Sequence, residues 1–148
     1  MTDIFDPKEH PHRRYNPLIK EWVLVSPHRA KRPWQGQVEM LDEEEQPSYD
    51  ENCYLCSGNT RINGQVNDNY EKTFVFSNDF AAIRQDTPIV AIADPLFKMA
   101  TEQGESRVIC FSPDHSKTLP QLSVNEIAEV VKTWKEQCAE LGRIYNWV

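Results

Sequence analysis

The stretch Asn52-Cys53-Tyr54-Leu55-Cys56-Ser57-Gly58 constrains this chain more than any other, because two thiols two residues apart can close on one metal ion. The pair supplies two of the four ligands of a tetrahedral zinc site, so the shell has to be completed from far along the sequence. Asp114-His115, in a turn after an apolar run, is the best-placed candidate, and a shared ion would tie residue 53 to residue 115. The competing reading is a core or redox cysteine pair. A thioredoxin-type motif follows a strand and opens a helix. Here Asp50-Glu51-Asn52 precede the pair, Ser57-Gly58-Asn59 follow it, and no helical periodicity comes after, which is turn chemistry better suited to a metal knuckle.

The 148 residues are enough for one core-bearing domain and too few for two of ordinary size. The opening Met1-Thr2-Asp3-Ile4-Phe5-Asp6 lacks the basic start and apolar run of a secretory leader, and no stretch is long and apolar enough to span a membrane. Four cysteines without such a leader predict a reducing cytoplasm, where they ligate metal or pack. A net charge of −7 argues against a general nucleic-acid binder. The distribution is uneven: residues 8–32 carry seven Lys or Arg against two Glu, and residues 33–60 carry seven acids and no Lys or Arg. A cationic arm on an acidic body can grip one small phosphorylated ligand without drawing in polyanions.

In order along the chain, residues 9–18 read as an extended arm and turn, since Pro11 and Pro17 disfavour helix at the residues before them. Glu21-Trp22-Val23-Leu24-Val25 is a predicted strand. In Ser26-Pro27-His28-Arg29-Ala30-Lys31-Arg32-Pro33-Trp34-Gln35-Gly36, three cations fall in four positions between two prolines; this is a solvated turn or a stiff phosphate clamp. Residues 39–51, with Asp42-Glu43-Glu44-Glu45 and Pro47, read as a solvated loop. Arg61-Ile62-Asn63-Gly64 is turn-like, and Thr73-Phe74-Val75-Phe76 is a second strand ending at Asn78-Asp79. That Asn-Asp pair can hydrogen-bond sugar hydroxyls or simply stop the strand. A third strand, Arg107-Val108-Ile109-Cys110-Phe111, delivers the turn containing His115, with Cys110 packing inside it. Ser123 and Glu126 form a capping box, and Ile127, Val130, Val131, Trp134, Cys138 and Leu141 then recur at helical spacing, one apolar stripe for the sheet, until Gly142 ends the helix. The fold class expected is α+β: an antiparallel sheet with a C-terminal amphipathic helix packed on it.

Two long motifs, His10-Pro11-His12-Arg13-Arg14-Tyr15-Asn16-Pro17-Leu18 and residues 26–36, resemble the start of the galactose-1-phosphate uridylyltransferase family. Ser77-Asn78-Asp79-Phe80-Ala81-Ala82 and Cys110-Phe111-Ser112-Pro113-Asp114-His115-Ser116 resemble it in the same order, so the likeness spans essentially the whole chain while covering less than the first half of such an enzyme. The resemblance implies a histidine-triad-like half of a two-half subunit, residues 1–148 being its N-terminal and incomplete domain, and a homodimer with shared active sites. It implies transfer of a uridylyl group from UDP-glucose to galactose 1-phosphate through a uridylyl-histidine intermediate, within galactose metabolism. It places zinc at Cys53, Cys56 and His115, with a fourth ligand outside this chain, and the iron ligands of many bacterial members are absent from it. Arg29, Ala30, Lys31 and Arg32 would reach the UDP-sugar of the partner subunit, Asn78 and Asp79 would meet the nucleotide at its ribose, and Ile62 would lie beside the uracil.

The family's nucleophile is the second His of Asn-Pro-His-Pro-His-Gly-Gln, and no such run occurs here. His10-Pro11-His12 copies its centre but continues as Arg-Arg-Tyr and matches the N-terminal arm, so no catalytic residue is assigned and the chain alone is expected not to turn over. Two other readings compete: a zinc-stapled binding module without catalysis, and a related enzyme acting on adenine nucleotides, against which the Arg-Ala-Lys-Arg-Pro-Trp-Gln-Gly loop speaks.

Overall fold

The computed structural model describes residues 4–32 and 46–148, so Pro33, Trp34, Gln35, Gly36 and the acidic run Asp42-Glu43-Glu44-Glu45 lie outside the described residues. The elements are strands β1 (His12–Asn16), β2 (Glu21–Val25), β3 (Phe74–Ser77), β4 (Ala91–Ile92), β5 (Met99–Thr101) and β6 (Arg107–Cys110), helix α1 (Val124–Leu141), and 3-10 helices at Pro27–Lys31 and Leu119–Gln121. The chain is α+β, and it divides into two compact units. Among the described residues no helix is long and apolar enough to cross a membrane.

The first unit takes the described residues of Met1–Gly36 together with Phe80–Arg107. Its sheet has the order β2-β1-β5-β4, antiparallel throughout. The extended arm of the sequence reading is strand β1, which pairs with β2 in the register His12↔Val25 to Asn16↔Glu21 and with β5 on its other side. β1, β4 and β5 carry no alternating pattern of their own; they become strands because β2 and then β1 offer open backbone edges. The four residues between β1 and β2 turn the chain with Lys20 in the left-handed region at φ 57°. Trp22 lies against Tyr15 across the ladder at 5.5 Å between ring centroids, and the Arg13 guanidinium covers it at 4.8 Å.

The second unit takes the described residues of Gln37–Asp79 together with Val108–Val148, and holds the ribbon formed by β3 and β6 as well as α1. Phe74 and Phe76 project from one face of β3, as the two-residue strand period requires, and Tyr70, Phe74 and Phe76 form a stacked column at 4.9 and 5.5 Å. The helix start is as its capping box predicts: the Ser123 backbone N–H donates to Glu126 Oε2 at 2.7 Å and the Glu126 N–H donates to Ser123 Oγ at 3.3 Å. Gly142 caps the other end, with its N–H on the Cys138 carbonyl at 2.9 Å, yet at φ −66° it stays right-handed.

The apolar stripe of α1 needs correcting. Val130 is buried, but its fellow buried residue is Thr133, whose hydroxyl meets that of Thr73 at 2.8 Å. Ile127, Val131, Trp134 and Cys138 are exposed. Thr133 is held by Thr73, just before β3, and Trp134 meets Phe111, just after β6, edge to face at 6.1 Å, so of the predicted stripe only Val130 is fully buried. Cys138 is therefore a surface residue and not part of a core.

The cap has a pH consequence. The Ser123 hydroxyl and backbone N–H, followed by Lys117, hold the Glu126 carboxyl down at about 2, against an ordinary value of 4.5. The folded value lies below the unfolded one, so the cap contributes fully above pH 4.5 and is lost as pH falls through about 2. Amide exchange in the first turn of α1 is expected to accelerate across that window, and Glu126→Gln to remove the pH dependence while weakening the cap at neutral pH.

Candidate functional site

The cysteine pair sits in a run of tight turns. The Cys53 N–H donates to the Asp50 carbonyl at 3.1 Å, Cys56 N–H to the Cys53 carbonyl at 3.2 Å, and Asn59 N–H to the Cys56 carbonyl at 3.2 Å. Leu55 N–H points at Cys53 Sγ at 3.4 Å. Gly58 turns the chain at φ +77°, where a Cβ would also stand 3.0 Å from Asn69 Oδ1, so both conformation and space select glycine. His115 arrives from the turn after β6 and is anchored by its own N–H on the Ser48 carbonyl at 2.8 Å. Asp114 is not a donor to the cluster; it builds that turn, its Oδ1 accepting from the Ser116 N–H at 3.0 Å and the Ser116 hydroxyl at 2.6 Å. The Ser116 hydroxyl accordingly holds the Asp114 carboxyl below its usual range.

The ligand atoms of Cys53, Cys56 and His115 all lie within 4.8 Å of one another, and Cys56 Sγ stands 3.4 Å from His115 Nδ1. A tetrahedral zinc ion with sulfur bonds of about 2.3 Å and nitrogen bonds of about 2.0 Å would separate such donors by about 3.5 to 3.8 Å. The spacing therefore fits a metal. Burial pushes the Cys56 thiol up and the adjacent Cys53 adds to this, so thiolates here need a cation close by. The distant closure expected from the sequence is present, and these three residues could hold a metal ion.

Two asparagines that the sequence reading did not single out as functional support the knuckle. Asn59 Nδ2 donates to the carbonyls of Asp50 at 2.9 Å and Cys53 at 2.8 Å. Asn67, buried at 4% exposure, donates from Nδ2 to the carbonyls of Tyr54 at 2.9 Å and Cys56 at 3.0 Å. Tyr70 adds an O–H to the Leu55 carbonyl at 2.8 Å, and burial pushes its phenol upward, so it remains a donor. An asparagine after a turn carries no signal for such a role, because the carbonyls it satisfies become its neighbours only once the knuckle has folded. Asn67→Ala is expected to cost about 1 to 3 kcal/mol, since two carbonyls lose their donor in a buried place; chemical denaturation of the metal-loaded protein measures it.

Of the other predicted site residues, Arg29, Ala30, Lys31 and Arg32 are exposed, at and just beyond the 3-10 helix Pro27–Lys31 in the first unit. That helix is tied down by Ser26 Oγ donating to the Ala82 carbonyl and by His28 Nε2 on the Ala81 carbonyl, both at 2.6 Å. Lys31 is already paired, its Nζ 2.6 and 2.7 Å from the Glu9 carboxylate oxygens. In the second unit the turn carrying Ile62 meets the end of β3: Asn63 Nδ2 donates to Asp79 Oδ1 at 2.7 Å, and Ile62 is exposed. His12 is fully buried, its Nδ1 on the His10 carbonyl at 2.9 Å and its Nε2 accepting from Arg14 Nε at 3.0 Å. An imidazole held at both nitrogens and shut from solvent has no lone pair to offer a phosphorus atom.

Residues 3–148 match the family described as "Galactose-1-phosphate uridyl transferase, N-terminal domain". The chain belongs to this family. Galactose-1-phosphate uridylyltransferase of Haemophilus influenzae is 63% identical over 149 residues, covering 100% of this chain and 43% of that protein. The enzyme of the same name from Rattus norvegicus is 48% identical, covering 100% of this chain and 39% of its own length. That from Saccharomyces cerevisiae is 46% identical, over 96% and 41% respectively. The chain thus spans about two fifths of the curated uridylyltransferases it matches. A solved structure described as "Structure of uridylyltransferase" shares the fold, with a TM-score of 0.61 at 23% identity over 87% of this chain and 35% of that one.

Proposed function

We infer that residues 1–148 form the N-terminal, histidine-triad-like portion of a UDP-glucose:galactose-1-phosphate uridylyltransferase acting as a cytoplasmic homodimer. The observation that carries this reading is the family match along the chain together with 63% identity to a protein named for that reaction. The reaction proceeds in two displacements. An imidazole attacks the α-phosphorus of UDP-glucose and expels glucose 1-phosphate; a phosphate oxygen of galactose 1-phosphate then attacks the uridylyl phosphorus, forms UDP-galactose and returns the imidazole. That imidazole is not among these 148 residues. What this chain supplies is binding and alignment: Arg29 and Arg32 offset phosphate charge, the backbone at Ala30 and the Lys31 ammonium complete that loop, Asn78 and Asp79 accept or donate at the ribose, and Ile62 gives the uracil an apolar flank.

The metal at Cys53, Cys56 and His115 is zinc in this reading, since two thiolates and an imidazole suit it better than a hard cation, and the fourth ligand comes from outside the chain. Its role is structural, holding the turns around residues 53–59 to the turn at residue 115. The four cysteines are free, in keeping with a reducing compartment. The full-length transferase is expected to exchange the uridylyl group between UDP-glucose and galactose 1-phosphate, while residues 1–148 alone do not. Transfer by the isolated chain would show that the nucleophile has been misplaced, and failure of the full-length protein to bind any UDP-sugar would favour a zinc-stapled module without catalysis.

A further inference from the structure

Arg61 is a buried cation with more donors than partners. Its side chain is 8% exposed, and its guanidinium carbon stands 4.2 Å from the centroid of Phe76, at the end of the aromatic column on β3. One amino group reaches the Gln65 side-chain oxygen. Nη1 lies 3.7 Å from Asp79 Oδ1, and neither Nη1 nor Nε has a hydrogen-bond partner among the described residues. Enclosing a guanidinium on such terms costs free energy, and a nearby carboxylate is what offsets it.

The same turn supplies a second contact to the same oxygen. It is closed by the Arg61 N–H on the Gln65 carbonyl at 2.7 Å and the Gly64 N–H on the Arg61 carbonyl at 2.9 Å, with Gly64 at φ +85°. Asn63 Oδ1 accepts from the Gln65 N–H at 2.8 Å, which aims its Nδ2 at Asp79 Oδ1, 2.7 Å away. The two contacts are different in kind. At 3.7 Å the arginine acts by charge and sets no direction, whereas the asparagine bond is short and directional. Both fall on Oδ1, and neither uses Oδ2.

We propose that Arg61 and Asn63 are positioning residues for nucleotide binding: they hold Oδ1 of Asp79 so that Oδ2 accepts from a ribose hydroxyl. The proposal rests on the reading of Asp79 as a ribose contact and adds that selectivity for ribose over deoxyribose is set by this bracket and not by the carboxylate alone. A carboxylate already held by one oxygen loses less rotational freedom when the ligand arrives, and that advantage exists only for a ligand carrying the hydroxyl.

The test is the ratio of the dissociation constant for 2′,3′-dideoxy-UDP to that for UDP on the full-length transferase. A general loss of packing weakens both nucleotides alike and leaves the ratio unmoved. Asp79→Ala is expected to bring the ratio close to one. Arg61→Met, which keeps the apolar stem on Phe76, is expected to lower it about tenfold, Arg61→Lys to recover part of that, and Asn63→Ala to lower it about threefold or more. If Asp79→Ala collapses the ratio while Arg61→Met and Asn63→Ala keep the wild-type value, the bracket is wrong and the ribose contact stands. If Asp79→Ala leaves the ratio unchanged, the ribose contact itself is wrong and the proposal falls with it. Should Arg61→Met fail to fold, the exposed Asn63→Ala decides the matter, and a wild-type ratio there overturns the proposal.

Discussion

Cys56→Ser is expected to abolish metal binding at the group of Cys53, Cys56 and His115 and to leave the second unit unable to fold as described. Cys56 is the most enclosed of the three donors, at 3% exposure, and burial already disfavours its ionised form. A coordinated cation offsets that cost. Structural zinc in peptide fingers binds with a free energy of order 10 kcal/mol, which is also folding free energy because the site does not exist in the unfolded chain. The loss therefore exceeds any single packing substitution in this protein. His115→Ala is expected to give the same result in milder form, since two sulfurs remain. Cys138→Ser serves as the control, because that cysteine is exposed on α1 and outside the cluster. Elemental analysis of the purified proteins should show close to one metal per chain in wild type and Cys138→Ser and almost none in Cys56→Ser, and chelation of wild type should reproduce the melting curve of the variant. Full metal content in both Cys56→Ser and His115→Ala would remove the site.

The second large effect concerns the cations of the 3-10 helix. Replacing Arg29 and Arg32 together by alanine in the full-length transferase is expected to weaken UDP-glucose by on the order of a hundredfold: a charge-assisted bond to phosphate contributes about 1.5 to 3 kcal/mol, discounted here because both side chains are exposed. Lys31→Ala should do much less, because its ammonium must first leave the Glu9 carboxylate it holds at 2.6 and 2.7 Å. Binding of UDP-glucose at two salt concentrations separates the cases, with a shallower salt dependence in the double variant. Unchanged affinity would mean that this stretch is only a solvated turn.

Strands β2, β3 and β6 and helix α1 were legible within a residue or so, because each carries its own pattern of branched and aromatic residues or its own caps. β1, β4 and β5 were not, since Met99-Ala100-Thr101 is a strand only beside Arg13 and its neighbours. The helix stripe was legible as a pattern, but Thr133, a polar residue absent from it, is enclosed beside Val130 while Ile127, Val131 and Trp134 stay exposed. At the site, the grouping of Cys53, Cys56 and His115 was legible because the cysteine spacing left half of a tetrahedral shell to be completed from a distant turn. Asn59, Asn67 and the pairing of Arg61 with Asp79 were not.

By itself the sequence determined strands β2, β3 and β6, helix α1, the candidate donor set and the family, since these depend on residue chemistry and on spacings within short stretches. Only the tertiary structure decided which carbonyls face Asn67, that His12 is sealed at both ring nitrogens, and that Arg61 and Asn63 converge on one oxygen of Asp79. Those are relations between groups distant along the chain, and a hydrogen bond or an ion pair has no existence in a sequence until folding has set both partners within reach and removed the water between them.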